Sequence, residues 1–407
     1  MRAGFGMQDI TPPMGIELAG YGYYLGRCGE TVHDPLYARA VAVETEDSRA
    51  LILSCDVLGL SKGVCAEVFR HAEGLGFRQD EVMIVSIHTH TGPCVKYHEG
   101  CGYSDEAYVA ALGEKLCRAV DAALADMAEV TRLSQTGDAF TGDHIYNRTV
   151  EGGPVDRRVR GFLMERGEDA PIAMVSAACH GVFRGRVTAV SADFAGEVNR
   201  ILTAKGCKSI YLNGLCGDID PYQPTDKRLE EFAAIVANCF THEKNELPLT
   251  LHTACFPFTL QLTPVTAEDV RGAAAEAVRR NGGPEQPASR VALIWEEEML
   301  AKIDTLTDTE DICCKCMLLG GVPVLALPFE GFTKIGQDVR ALCGREDALV
   351  LGCAEELLGY LPTEDDIARG AYAALESTFL YKRLPVVPGE AERLGETLGA
   401  ALERMLK

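Results

Sequence analysis

Two histidines in the stretch Val82-Met-Ile-Val-Ser-Ile-His88-Thr-His90-Thr-Gly-Pro93 are the first residues in this chain whose type and spacing suit chemistry. Imidazole nitrogens bind transition metals and move protons near neutral pH. The run before them is apolar and β-branched and ends in Thr-Gly-Pro, which predicts a buried strand passing into a loop. Side chains alternate along a strand, so His88 and His90 are expected on one face at its end. One reading is the beginning of a metal site; the other is a hydrogen-bonded histidine pair at a packed strand end. Three more junctions have the same form, a short apolar run followed by a polar residue in a Gly/Pro loop, at His180, Asn213 and Glu330. Sites assembled at strand ends look like this.

Positioning these residues takes a framework of alternating strands and helices. Residues 1–37 are rich in Gly, Pro and Tyr and suit an extended segment and loop. The apolar runs 37–43 and 50–55 predict a hairpin, and 62–75 and 105–126 have helical spacing. Strands are expected at about 129–140, 157–165, 171–179 and 209–212. Helices are expected at about 192–204, 227–241, 265–281, 333–343 and 388–405. Residues 248–262 suit an extended segment, 312–318 and 322–327 a glycine-turn hairpin, and 348–352 a strand. No repeat or linker divides the chain. The expectation is one α/β (mixed α+β) domain over residues 1–407, with mixed sheets flanked by helices and the site on strand-end loops.

Composition narrows the partners. Lys plus Arg number 39 against 60 Asp plus Glu, a formal net charge of −21. That disfavours nucleic acid and anionic membranes. No apolar run approaches the ~20 residues of a membrane span, and no basic-then-apolar leader opens the chain. With no leader, its 16 cysteines are expected to be reduced thiols in a cytoplasmic protein. Cys313-Cys314-Lys-Cys316 lacks a second Cys/His pair at zinc-finger spacing, so no structural metal is expected there.

Nine pieces, in order, carry a resemblance: Asp9-Ile-Thr-Pro12, Gly20-Tyr21, Asp34-Pro-Leu-Tyr-Ala-Arg-Ala40, His88-Thr-His90-Thr-Gly-Pro93, Asn147-Arg148, His180 with Ser191-Ala-Asp193, Gly217-Asp-Ile-Asp-Pro221, Pro328-Phe-Glu330 and Gly359-Tyr-Leu-Pro-Thr363. Through them the chain resembles the N-terminal catalytic domain of the neutral, non-lysosomal ceramidases and the shorter bacterial proteins related to them. The resemblance implies a zinc hydrolase whose ion is held by His88, His180, Glu330 and Tyr360. It places His90 beside the reacting centre, Arg148 in the active site, and Tyr372 where a second tyrosine steadies the oxyanion. Asp218 is expected to orient loop amides or a ligand histidine.

Two departures shape the expected reaction. Where the family's ceramidases carry a catalytic serine in Gly-Asp-Val-Ser-Pro, this chain has Asp220. A carboxylate cannot form the same alcohol-derived acyl intermediate, but it can act as a general base on water or bind a substrate ammonium. The sequence is also expected to do without the signal peptide and the C-terminal immunoglobulin-like domain of the secreted ceramidases. The expected substrate is therefore an N-acyl amide, small or lipid-like, rather than membrane ceramide itself. A metal-dependent esterase or lactonase, an elimination catalyst, and a non-catalytic ligand-binding protein are the alternatives.

Overall fold

The computed structural model describes residues 1–242 and 244–407, and its architecture is mixed α/β. Three sheets carry it. The first runs, in spatial order, Val82–Ser86, Arg49–Cys55, Tyr37–Glu44, Arg2–Asp9 and Ala128–Glu129. The second runs Lys208–Asn213, Asp169–Ala177, Arg160–Arg166, Arg132–Thr136 and Lys244–Leu247. The third runs Leu251–Gln261, Thr309–Leu319, Val322–Ala326 and Leu349–Leu351.

Each sheet contains one parallel pair: Arg49–Cys55 with Val82–Ser86, Asp169–Ala177 with Lys208–Asn213, and Val322–Ala326 with Leu349–Leu351. Parallel strands need a crossover, and a helix lies in each: Lys62–Gly74, Asp193–Ala204 and Thr333–Cys343. The result is three βαβ units. Val82–Ser86 and Val322–Ala326 are buried along their whole length, as strands covered on both faces must be. Inner faces of all three sheets meet in one cluster, with Ile52 and Val85 from the first, Phe162 and Leu212 from the second, and Met317 and Val324 from the third. Full burial of one such aliphatic side chain contributes roughly 1.5–3 kcal/mol, so the strand ends are held by a packed core.

Helices cover the outer faces. Glu106–Ala125 lies so close on Arg2–Asp9 that a Cβ at Gly4 or Gly6 would fall 2.0 Å from the carbonyl oxygen of Ala123 or Ala119. Glycine inside that strand is therefore a packing requirement.

The structure departs from the sequence reading in several places. The His88-bearing strand ends at Ser86, two residues before the histidine. The strand expected at 129–140 is two pieces, Ala128–Glu129 and Arg132–Thr136. The helix Pro287–Ala301, which buries Trp295, was hidden by the Gly- and Pro-rich residues preceding it. The cysteines are not all free: a disulfide joins Cys255 to Cys313, whose Cα atoms are 6.0 Å apart. The register of Leu251–Gln261 on Thr309–Leu319 sets Cys255 opposite Lys315 and Cys313 opposite Pro257. The two cysteines thus become diagonal neighbours across the pair. Among the described residues, no helix is long and apolar enough to cross a membrane.

Candidate metal centre

Every candidate site residue except Arg148 and Tyr372 sits in a loop or short strand that follows one of the six parallel-paired strands. Cross-links bind these loops into one body. Ser86 N–H donates to Cys353 O at 3.0 Å, Gly352 to Asn213 at 3.1 Å, His90 to Gly181 at 3.0 Å and Gly217 to Gly331 at 2.9 Å. The carboxyl ends of parallel strands are where α/β sheets place ligands.

His88 has φ +62, a left-handed conformation that is uncommon outside glycine. The alternation rule therefore does not apply at His88, yet the two rings still come together, with centroids 5.0 Å apart. His88 Nδ1 is 2.8 Å from Leu58 O, and His180 Nδ1 is 2.5 Å from Cys216 O and 3.2 Å from Ile219 O. Carbonyl acceptors at Nδ1 favour the Nδ1–H tautomer and turn the Nε2 lone pair outward. Both Nε2 atoms lie 3.1 Å from the same oxygen, Oε2 of Glu330. Two imidazole nitrogens and a carboxylate oxygen thus converge on one point; protons on the imidazoles can answer the carboxylate there, and a metal ion can replace them. The spacing is close to the ~3.3 Å edge of a tetrahedron with zinc-type bonds of about 2.0–2.1 Å. The residues fit a metal.

The charges agree. Burial works against the Glu330 carboxylate, yet His88 and His180 hold it well below the usual range. Burial and Arg148 depress the His180 imidazolium, but Cys216 and Glu330 outweigh them and raise it to about 10. Glu330 Oε1 accepts from the Tyr381 hydroxyl, and Tyr381 packs on His98 with centroids 4.3 Å apart.

One nitrogen each of His88, His90 and His180 lies within 4.8 Å of the others. Both ring nitrogens of His90 are buried and, among the described residues, without a hydrogen-bond partner. Burial, joined by His88 and His180, keeps this imidazole well below its ordinary value and hence neutral at pH 7. Gly20, at φ +84, makes room for it, since a Cβ there would sit 2.3 Å from His90 Nδ1. The histidines and Glu330 therefore have two candidates for a fourth donor, His90 and Tyr360.

Tyr360 is positioned by the short parallel pair that sets it opposite Glu330. Its hydroxyl accepts from Arg148 Nη2 at 2.8 Å, while Arg148 also donates to Gly217 O at 2.9 and 3.1 Å. Burial pushes the Tyr360 phenol well above its ordinary value, and Arg148 is the cation acting against that. Asp220 lies 3.3 Å from Arg148 Nη1 and 3.8 Å from His180 Nδ1. It therefore stands at the rear of His180, away from the point where the lone pairs converge. Tyr372, 42% exposed, is at the mouth, with its ring 5.9 Å from that of Tyr360. Asp218 accepts from Thr333 N and Oγ1 at 2.9 and 2.8 Å and from Asn147 Nδ2 at 2.8 Å. It fastens a helix start rather than a histidine.

The cleft over this centre contains about 330 Å³ of atom-free space, partly open to solvent, and is walled by Tyr21, His88, His90, His98, Glu330 and Tyr360 among others. Three of its groups escaped the sequence reading as site residues. Among the described residues, the buried hydroxyl of Tyr21 and the buried Nε2 of His98 have no hydrogen-bond partner, and, chiefly through burial, His98 has a pKa lowered to about 3. Tyr381 is the third. His98, in a glycine-rich loop soon after His90, was the one with a usable signal.

The family described as neutral/alkaline non-lysosomal ceramidase, N-terminal, matches residues 1–145. Among solved structures, neutral ceramidase from Pseudomonas aeruginosa superposes with a TM-score of 0.74 at 15% identity, over 99% of this chain and 74% of that one. A ceramidase complexed with C2 gives 0.71 at 16% identity, over 99% and 75%. No curated protein matches the sequence. Residues 1–145 thus carry the neutral/alkaline ceramidase N-terminal family pattern, and the whole chain carries the neutral ceramidase fold.

Proposed function

We propose that this protein is a zinc-dependent hydrolase that cleaves an N-acyl amide bond of a small or lipid-like substrate. The observation that carries the reading is the convergence of His88 Nε2 and His180 Nε2 on Glu330 Oε2, each at 3.1 Å, beneath an open cleft. Family pattern and fold support it, as does a related ceramidase described as complexed with C2. His88, His180, Glu330 and Tyr360 would hold the ion. When bound, zinc supplies Lewis acidity, polarising a carbonyl and making water nucleophilic near neutral pH.

The chain's own groups do the rest. His90, neutral and unpartnered, accepts the proton from the attacking water and returns it to the leaving nitrogen. Arg148, aimed by Gly217 O and Tyr360, faces the developing oxyanion with Tyr372; one such donor is typically worth roughly 3 kcal/mol. Asp220 balances Arg148 and offers a carboxylate to a substrate ammonium. With no hydroxyl at position 220, acyl transfer to this residue is not part of the reaction. Asp220→Asn should therefore lower turnover modestly; a collapse of turnover with zinc retained would make Asp220 the base instead.

The test is zinc content measured beside hydrolysis of a matched panel of N-acyl amides and esters, with products identified by mass. Amine and fatty acid released by wild type, and neither released by Glu330→Gln, is the expected result. Ester cleavage alone would place the reaction in the esterase class. Full zinc with no turnover would leave a ligand-binding protein.

A further inference from the structure

A second cleft opens between the strands Arg160–Arg166 and Asp169–Ala177 and the helix Thr333–Cys343. Its walls include Asp156, Arg158, Arg160, Ser176, Gly336 and Arg340, around about 340 Å³ of atom-free space partly open to solvent. It shares no residue with the metal centre. Arg160 and Arg340 are only 8% and 6% exposed, and both donate to the same oxygen, Oδ2 of Asp156, at 2.8 Å. Arg160 also donates to the backbone carbonyls of Glu346 and Arg158, at 2.9 and 3.2 Å. Arg340 makes no other side-chain hydrogen bond among the described residues, although a guanidinium carries five donors.

Two guanidinium groups on one carboxylate leave a positive charge without a protein partner among the described residues, and the unused donors open onto the cleft. Burial depresses the Arg160 guanidinium; Asp156 opposes that, while Arg340 and Arg158 add to it. Arg158, at the exposed rim, forms no ion pair among the described residues. In a chain of formal net charge −21, a local surplus of arginine does not follow from composition.

We propose that this cleft binds a small oxyanion, a phosphate or carboxylate group, between the guanidinium groups of Arg340 and Arg160, with Arg158 at the mouth. The unused donors of Arg340 form the planar fork that suits such a group. The first turn of the helix Thr333–Cys343 lines the same wall and adds its dipole in the same sense.

The test is thermal unfolding in rising inorganic phosphate, with acetate in a parallel arm and sodium chloride adjusted to constant ionic strength. A saturable rise in Tm is expected for at least one anion, and Arg340→Gln should weaken it about tenfold or more. Because that variant also takes a partner from Asp156, Arg158→Glu serves as the second. It keeps the buried pair and should weaken the same anion by a similar factor, read as the anion-induced rise in Tm relative to each protein's own Tm in chloride. The metal centre attracts anions too. A rise undiminished in Arg158→Glu would locate the binding elsewhere and overturn the proposal, as would no saturable rise with either anion.

Discussion

At the scale of single residues, the centre invites a distinction between groups that hold a metal and groups that move protons. Under the proposed assignment, His90→Ala keeps about one zinc per chain while turnover falls by roughly 10²–10⁴, the range of a lost acid–base group. Loss of zinc with His90 would instead make it a ligand in place of Tyr360. Tyr381 acts through Glu330: its hydroxyl holds Oε1 while Oε2 faces the two histidines. Tyr381→Phe should weaken zinc binding about 10–100-fold, with activity restored by excess zinc. A variant that excess zinc does not rescue would put Tyr381 in the chemistry. His88, His180 and Glu330 could be picked out from sequence because each follows an apolar run and lies in a stretch that resembles a family motif. Tyr381 was not, because a tyrosine that supports a carboxylate has no spacing signature. The backbone turn at His88 was equally invisible, since its partners, Val57 O and Leu58 O, lie some thirty residues away in sequence.

At the scale of elements, Asp218 ties the helix Thr333–Cys343, which begins three residues after Glu330, to the loop after Lys208–Asn213. Burial raises its carboxyl from 3.8 to about 6. A pKa higher in the folded state means the native chain binds the extra proton. The associated stability is therefore present below about pH 4 and is lost as pH rises through about 6, by an amount of about 3 kcal/mol. Comparing wild type with Asp218→Asn by denaturant unfolding from pH 4 to 7 should show the wild type losing stability relative to the variant across that window. Parallel pH profiles would remove Asp218 as the cause. Helices with long amphipathic spacing, such as Glu106–Ala125, were read from sequence nearly to the residue. The helix Pro287–Ala301 was missed because breakers precede it, and the disulfide because strand register, which sets Cys255 beside Cys313, is not a local property.

At the scale of the whole molecule, the proposed ligands come from all three sheets: His88 follows a strand of the first, His180 one of the second, and Glu330 and Tyr360 strands of the third. The sheets also share one apolar cluster, and Lys315 of the third donates to Val82 O of the first at 2.6 Å. We propose from this that residues 1–407 unfold as one unit that bound metal stabilises. A ligand at a thousandfold excess over its Kd contributes about 4 kcal/mol to the native state. Calorimetry should therefore give one transition whose Tm drops by several degrees on chelation and returns with zinc. The family-matched fragment 1–145 should remain unfolded alone, because it exposes the inner face of the first sheet and brings only one of the four proposed metal ligands, His88. A second calorimetric transition, or a folded 1–145 fragment, would show that the sheets are independent units meeting at the metal. Sequence pattern located those sheets as runs of strands, but the convergence of three βαβ units on one point rests on contacts between residues up to several hundred apart, which no local pattern encodes.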